Sequence, residues 1–424
     1  MSAALAGGSA YALPPTATYD ISLVVAGASA QRDTIQQEVS AICQAGTFNR
    51  YLASPATNQD FRAYSCRTLT TLSNPAIADK NVIVYYRSEG GSGWGIAPMV
   101  NNRSVKRLLV NASCNAGTES CPVGGYSLLN DSFTSGNLVD ARVELAVSDV
   151  EPSRFVGENW PANPGGATNP ALGAEPSNPS AAFGALNVQT ATGTVFGILV
   201  NSALPISDLS RQDINGIFTG NIGDWSQIAQ TGAAGAATNP EAAGTVTVCR
   251  RERGSGTQTS ASIYFNGQGC PVGYPFVEGS GPIFGNPVIA NTTSGAMNTC
   301  VANNAGSIGI QTFTTAPVAG TKFVSINGKF PNKVDAAKGD YDFTFESAFS
   351  TDEFINGNPG GLALANFLIG RARVASTIPA NDSAFALYNG GTNIPVIPVN
   401  TTRPIALGTR GGSSCLPQQA APPF

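Results

Sequence analysis

Residues 249–260 of the sequence read CRRERGSGTQTS, and this stretch decides the fold. The segment that leads into it, TVTVCR at 245–250, begins with alternating Thr and Val residues and predicts a β-strand. The residues after the motif are helix-like. Between them, Gly254-Ser255-Gly256-Thr257 offers small side chains, two hydroxyls and free backbone N–H groups. Helix N-termini carry unsatisfied N–H donors and a partial positive charge. A strand-to-helix junction of this kind, with Arg251 beside it, predicts an oxyanion-binding site.

Two earlier junctions have the same chemistry. The strand predicted at 20–26, DISLVVA, runs into Gly27-Ala28-Ser29, and the strand predicted at 82–86, VIVYY, is followed by Gly91-Ser92-Gly93. One Gly-Ser turn is a weak signal, but three junctions together favour a shared anion site. A nucleotide site does not fit, because the stretch at 249–260 lacks Gly-Lys-Ser/Thr and no GxGxxG follows the first strand.

Predicted strands and helices alternate along the chain, which indicates an α/β fold. Further strands are predicted at 142–149, 196–200 and 306–312, and a compact helix within 207–225. Two stretches predict surface insertions instead. Residues 153–189 are rich in Pro, Gly, Asn and Ala without a clear period, and residues 229–243 are of low complexity.

Composition excludes several classes of function. The sequence has 424 residues and no histidine, which excludes a Ser-His-Asp triad and an HExxH zinc site. The formal net charge is −4 and only 12% of residues are charged, so nucleic acid is not expected as a partner. We expect no catalytic residues, no metal and no organic cofactor.

The N-terminus and the cysteines predict an exported protein. Residues 1–12 end in Ala10-Tyr11-Ala12, an A-x-A pattern that is typical of the remnant of a signal peptide. Eight cysteines suit an oxidising compartment. Loop-rich spacing favours pairs between Cys43 and Cys66 and between Cys114 and Cys121, and it leaves the pairing of the other four cysteines open. The expected location is periplasmic or extracellular.

Together these motifs resemble the phosphate-binding proteins of bacterial phosphate ABC importers, which have the type II periplasmic-binding fold. RERGSGT at 251–257 resembles the family's arginine followed by Gly-Ser-Gly-Thr, and the order of the motifs along the chain is similar too. The other segments that carry the resemblance are AGASA at 26–30, GGSGWGIAP at 90–98, VELAVSDVEPS at 143–153, PISDLSRQDINGIFTGNIGDW at 205–225 and GSIGIQT at 306–312.

The resemblance implies a two-lobed α/β fold of the type II periplasmic-binding class, with mixed sheets and a hinge cleft. Lobe one would combine 19–152 with 315–424, lobe two would be 190–312, and 153–189 would be an insertion. Carried over position by position, it implies that phosphate is bound by Ser29, Ala30, Ser92, Asp149, Arg251, Ser255, Gly256 and Thr257.

Within that set, Asp149 would accept the proton of monohydrogen phosphate and so reject sulfate; without the resemblance, Asp149 is equally well explained as a turn or cap residue before Pro152. The implied function is capture of inorganic phosphate by an exported, non-enzymatic substrate-binding protein, with an ABC permease in the inner membrane as partner. The alternative is an extracellular structural or surface-interaction protein that reuses the same scaffold.

Overall fold

A computed structural model of the chain describes residues 12–54, 60–163, 166–228, 244–270, 286–313, 317–378, 383–388 and 400–420. The predicted signal-peptide remnant at 1–12 lies outside these residues except for its last position. The predicted insertion at 229–243 lies outside them entirely.

The secondary structure is mixed, as predicted. The strands are β1 Ile21–Gly27, β2 Asn49–Ser54, β3 Phe61–Arg67, β4 Asn81–Arg87, β5 Ser104–Leu108, β6 Ser120–Gly124, β7 Ser135–Gly136, β8 Leu138–Arg142, β9 Leu145–Ser148, β10 Asn187–Asn201, β11 Asp208–Leu209, β12 Thr247–Arg251, β13 Val288–Asn291, β14 Ser307–Thr312, β15 Thr321–Ile326, β16 Thr344–Thr351, β17 Ala384–Ala386, β18 Gly408–Thr409 and β19 Gln419–Ala420. The helices are α1 Arg32–Ala41, α2 Gly93–Val100, α3 Pro179–Gly184, α4 Arg211–Phe218, α5 Gly256–Asn266, α6 Ser294–Asn303, α7 Lys333–Lys338 and α8 Pro359–Ala372.

Fifteen strands form one mixed sheet, which can be divided into two halves. The order along its main path is β13-β12-β14-β10-β16-β9-β1-β4-β3-β2-β6-β7. We call the part from β16 to β7 the first half-sheet and the part formed by β12, β13, β14 and β15 the second. Parallel pairs, such as β1 with β4 and β12 with β13, stand beside antiparallel pairs, such as β10 with β16. The predicted α/β class with mixed sheets is confirmed.

Strand β10 joins the two halves. Its 15 residues pair first with β16, up to Val195, and then with β14 and β15 from Phe196 onwards. The chain returns to the first half just before Thr344, where β16 begins, and Phe196 N–H donates to the carbonyl of Phe343 at 3.1 Å. The chain thus crosses between the two halves at two adjacent points.

Apolar helix faces cover both halves because buried residues recur at helical spacing. On the first half, Ile35 and Val39 of α1 pack with Leu364 and Leu368 of α8. On the second half, α4 begins at the Ser210 capping box and buries Ile217 and Phe218 with α5. No described helix is long and apolar enough to cross a membrane.

One strand departs from the predicted lobe boundary at 315. β15 pairs with β10 over Ile198–Asn201 and with β11, so it belongs to the second half-sheet. The prediction assigned all of 315–424 to lobe one. The return to the first half occurs later, at β16.

All eight cysteines form disulfides. Cys43 pairs with Cys66 and Cys114 with Cys121, as the sequence favoured. The four cysteines whose pairing the sequence left open form Cys249–Cys300 and Cys270–Cys415. The first of these joins β12 to α6 within the second half. The second ties the loop after α5 to the C-terminal tail, across 145 residues of sequence.

Candidate functional site

The predicted site residues follow the carboxyl ends of parallel strands in both halves. On the first half, Ser29 follows β1, Ser92 follows β4 and Asp149 follows β9. On the second half, Arg251 is the last residue of β12, and the N-terminus of α5 comes directly after it. Ligands of open α/β sheets bind at this edge, because strand ends and helix N-termini meet there.

Helix α5 begins at the glycine-rich motif. Ser255 is its N-cap and its hydroxyl oxygen accepts a hydrogen bond from Gln258 N–H. Gly256 and Thr257 are the first residues of the helix, whose leading N–H groups have no intrahelical acceptor. A Cβ added at Gly256 would lie 2.1 Å from Ser92 Oγ and 2.5 Å from Asp149 Oδ2. The absence of a side chain at Gly256 therefore lets the helix N-terminus of one half approach the site residues of the other.

Asp149 is the buried carboxyl of this cluster, with 1% of its surface exposed. Its N–H donates to Ser92 Oγ at 3.2 Å. Burial raises the pKa of Asp149 to about 7, against the opposing effects of the Arg251 charge and of hydrogen bonds with the Ser92 and Thr257 side chains. Its Oδ1 atom is buried without a hydrogen-bond partner among the described residues. Asp149 thus presents an unsatisfied acceptor beside a cation and a helix N-terminus.

Arg251 is 2% exposed and is held by the last residue of β13 and the segment that follows it. Its Nε donates to the carbonyl of Asn291 at 3.3 Å, Nη2 to the carbonyl of Thr292 at 2.9 Å and Nη1 to the hydroxyl of Ser294 at 2.8 Å. A guanidinium has five N–H groups. Two of them, one on each terminal nitrogen, have no partner in the described part of the chain. That is the arrangement that a bidentate contact with an oxyanion requires.

The remaining predicted residues lie at different depths. Ser92 and Ser255 are buried, whereas Ser29 and Ala30 are half-buried in the short 3-10 turn Ser29–Gln31. Ser29 reaches the second half through Ser294, with 3.3 Å between the two hydroxyl oxygens. Ser92, Asp149, Gly256 and Thr257 are in direct contact, and Arg251 acts on Asp149 through its charge. Ser29 is connected to Arg251 through Ser294. Ser255 is included as the cap of α5, and Ala30 lies next to Ser29.

The two halves touch where their loops meet. Gly93 N–H donates to the carbonyl of Gly254 at 2.7 Å, and the adjoining Ser92 and Ser255 are both buried. Pro161, from the predicted insertion at 153–189, covers this contact: a Cβ added at Gly254 would lie 2.4 Å from Pro161 Cβ. The chain is therefore in a closed arrangement, with the insertion lying over the contact between the halves.

The insertion binds to both halves. On the first half, the side-chain amide of Asn101 donates to the carbonyl of Leu172 at 2.6 Å. Towards the second half, Glu158 forms an ion pair with Arg253, and Arg154 Nη1 donates to the carbonyl of Gly269 at 2.7 Å. The predicted surface insertion is thus a bridge across the site.

The C-terminal tail adds a second bridge. Ser414 N–H donates at 2.9 Å to the carboxylate of Glu151, a residue that lies two positions after Asp149 in the sequence. The next residue, Cys415, is bonded to Cys270 behind α5. The tail thereby links α5 of the second half to the residues that follow β9 of the first half.

Two further carboxyls surround Arg251. Burial raises the pKa of Glu252 to about 8, with Arg251 opposing the effect. Burial and the neighbouring Asp60 raise the pKa of Glu89 to about 7, opposed by Arg87 and Arg251. Carboxyls that hold their protons near neutral pH leave the positive charge of Arg251 less compensated, which favours an anionic ligand.

Ser294 was missed by the sequence reasoning. It opens α6 after Thr293, whose side chain caps that helix. Its signal in the sequence is the segment NTTSG at 291–295, a fourth junction of small and hydroxyl-bearing residues after a strand. The short strand VIAN before it shows no clear alternation, so a junction there was not predictable from the local pattern.

No family model matches the sequence, and no curated protein does. Among solved structures, a phosphate-binding protein from Stenotrophomonas maltophilia aligns with a TM-score of 0.45 and 14% identity, covering 87% of this chain and 87% of that one. An ABC-type phosphate transport receptor from Vibrio cholerae aligns with a TM-score of 0.41 and 14% identity, covering 82% of this chain and 93% of that one.

PstS from Borrelia burgdorferi gives a TM-score of 0.38 at 11% identity, over 82% of this chain and 92% of that one. These identities and TM-scores are low, so what this chain binds is inferred from its own residues.

Proposed function

We propose that the protein is an exported substrate-binding protein that captures inorganic phosphate, as HPO₄²⁻, between its two half-sheets and delivers it to an ABC importer. One observation supports this most directly. The buried Asp149 carboxyl, with an unpartnered oxygen, lies in the same cluster as Arg251 and the N-terminus of α5. An acceptor among anion-binding donors suits a ligand that is both anionic and protonated.

Monohydrogen phosphate meets both conditions. Its unprotonated oxygens would take the two N–H groups that Arg251 has left, together with the Ser255 hydroxyl and the first N–H groups of α5. Its hydroxyl would donate to Asp149. Sulfate has no proton to give at neutral pH, and leaving a buried acceptor unsatisfied costs about 1–3 kcal/mol. Asp149 would therefore select phosphate over sulfate.

The proposal is binding without a chemical step. The sequence contains no histidine, and a serine nucleophile needs a neighbouring base to activate it. Ser255 serves instead as the N-cap of α5. Phosphate release from a chromogenic ester would contradict this part of the proposal.

Calorimetric titration with phosphate tests the proposal. The wild-type protein should release or take up heat on binding, and Arg251→Lys should weaken affinity roughly tenfold or more, because an ammonium cannot make the bidentate contact. Arg50→Ala is the matched control, since Arg50 pairs with Glu119 at the surface of the first half. No heat from the wild-type protein at millimolar phosphate would reject the proposal and favour a structural or surface-interaction role.

Gly256→Ala tests the geometry separately. The added methyl group would occupy the space against Ser92 and Asp149 and hold α5 away from them, so phosphate binding should be lost. Gly184→Ala, at the end of α3, is the control because a Cβ there meets nothing within 4 Å. Unimpaired binding by Gly256→Ala would show that phosphate binding does not require the close approach of α5 to Ser92 and Asp149.

A further inference from the structure

We infer that Ser294 is a positioning residue of the anion site: it orients Arg251 and fixes the hydrogen-bond direction of Ser29. The inference rests on the proposed function and deepens it. Its basis is a chain of three polar groups. Arg251 Nη1 lies 2.8 Å from Ser294 Oγ, and Ser294 Oγ lies 3.3 Å from Ser29 Oγ. Arg251 and Ser294 belong to the second half of the molecule, and Ser29 belongs to the first.

The contact with Arg251 determines the hydrogen-bonding role of Ser294. A guanidinium only donates hydrogen bonds, so Ser294 Oγ is an acceptor towards Arg251. Together with the carbonyls of Asn291 and Thr292, this hydroxyl takes one N–H from each guanidinium nitrogen. One N–H on each terminal nitrogen of Arg251 is then left without a partner in the described part of the chain. Ser294 is the only side chain among these three acceptors, so it is the acceptor that a mutation can remove.

The contact between Ser294 and Ser29 determines which way the Ser29 hydroxyl donates its hydrogen bond. Ser294 accepts from a cation, which polarises its own O–H and makes it the better donor of the serine pair. When Ser294 donates to Ser29 Oγ, the proton of Ser29 remains available to the ligand. The opposite direction would turn the lone pairs of Ser29 towards an anion. Ser29 would therefore donate to an unprotonated phosphate oxygen, while Asp149 accepts from the protonated one.

This polarity gives the bound anion an orientation. The protonated oxygen would lie at the buried end of the site, at Asp149, and an unprotonated oxygen would lie near the half-buried Ser29. Because Ser29 and Ser294 come from different halves, the same contact also joins the two halves beside the ligand. Ser294 would then contribute to affinity without contacting phosphate.

Calorimetric titration with inorganic phosphate tests this inference with a double-mutant cycle. Ser294→Ala should weaken affinity about tenfold, because Arg251 and Ser29 would then have to be ordered when phosphate binds. Ser29→Ala should cost a similar factor in the wild-type background and much less in the Ser294→Ala background, because the two hydroxyls act as one unit. Ser294→Thr retains the hydroxyl and should restore affinity.

Thr299→Ala is the control, since Thr299 is exposed on the same helix and its hydroxyl donates to the carbonyl of Gly295. Thermal unfolding without phosphate should be the same for Ser294→Ala and Ser294→Thr, which separates positioning from a structural role. Unchanged affinity in Ser294→Ala, or additive effects in the cycle, would overturn the inference while leaving phosphate binding in place. A wild-type protein that gives no heat would overturn the proposed function and this inference with it.

Discussion

Asp149→Asn should stabilise the phosphate-free protein at alkaline pH. Burial raises the pKa of Asp149 from its ordinary value of 3.8 to about 7. Each pKa unit corresponds to about 1.4 kcal/mol. The ionised carboxylate of Asp149 therefore destabilises the closed fold by up to about 4 kcal/mol. An amide of the same shape carries no charge and avoids this cost.

The pH dependence has a defined sign. The folded state holds the Asp149 proton more tightly than the unfolded state, so this residue's contribution to stability falls between about pH 4 and about pH 7 and then levels off. The difference between Asp149→Asn and the wild type should be close to zero at about pH 4. It should grow to at most about 4 kcal/mol at about pH 8. Glu89 and Glu252 titrate in both proteins, so their contributions largely cancel.

Urea denaturation at both pH values measures this difference. Asp140→Asn is the control because the Asp140 side chain is 61% exposed and pairs with Lys106 at the surface; its effect should stay within about 1 kcal/mol at either pH. A difference for Asp149→Asn that is the same at both pH values would refute the reasoning. So would a variant less stable than the wild type at about pH 8.

Two more predictions follow from the site and its bridges. If phosphate binds as proposed, sulfate should compete with it at about pH 5.5 but not at about pH 8, because Asp149 can donate to sulfate only while protonated; equal exclusion of sulfate at both pH values, measured by competition calorimetry, would contradict this. Replacing Cys270 and Cys415 by Ser should speed the dissociation of radiolabelled phosphate, because α5 loses its covalent link to the tail. The control is the double variant in which Cys43 and Cys66, a pair within the first half, are replaced by Ser. Equal dissociation rates in the two double variants would show that the tail does not control phosphate release.

Local patterns made much of the fold predictable. A short apolar strand, a glycine-rich turn and a helix start are encoded within about a dozen residues, so the junctions at Ser92 and Arg251 could be recognised without the tertiary structure. Their convergence followed from the rule that the carboxyl ends of parallel strands share one edge. The residues at these junctions do come together, with Gly256 against Ser92 and Asp149.

Other features depend on contacts that no local pattern records. β15 lies in the second half-sheet because it pairs with β10, and nothing in its own sequence specifies that partner. Ser294 matters through Arg251 and Ser29, which are 43 and 265 residues away in sequence. The bridge over the site was equally hidden, since Pro161 belongs to a segment without periodicity and is defined by what it touches.

The closed arrangement separates the determinants of affinity from those of exchange. Affinity would depend on groups that face the anion, chiefly Arg251 and Asp149. Exchange would depend on how readily the Gly93–Gly254 hydrogen bond breaks and Pro161 moves aside, because these contacts lie over the buried hydroxyls of the site. None of Gly93, Gly254 and Pro161 belongs to the proposed anion shell, so the insertion would slow both binding and release with little effect on their ratio. A chain built this way would retain phosphate longer than its affinity alone requires, and an importer that accepts its cargo would have to displace the bridge as well as separate the halves.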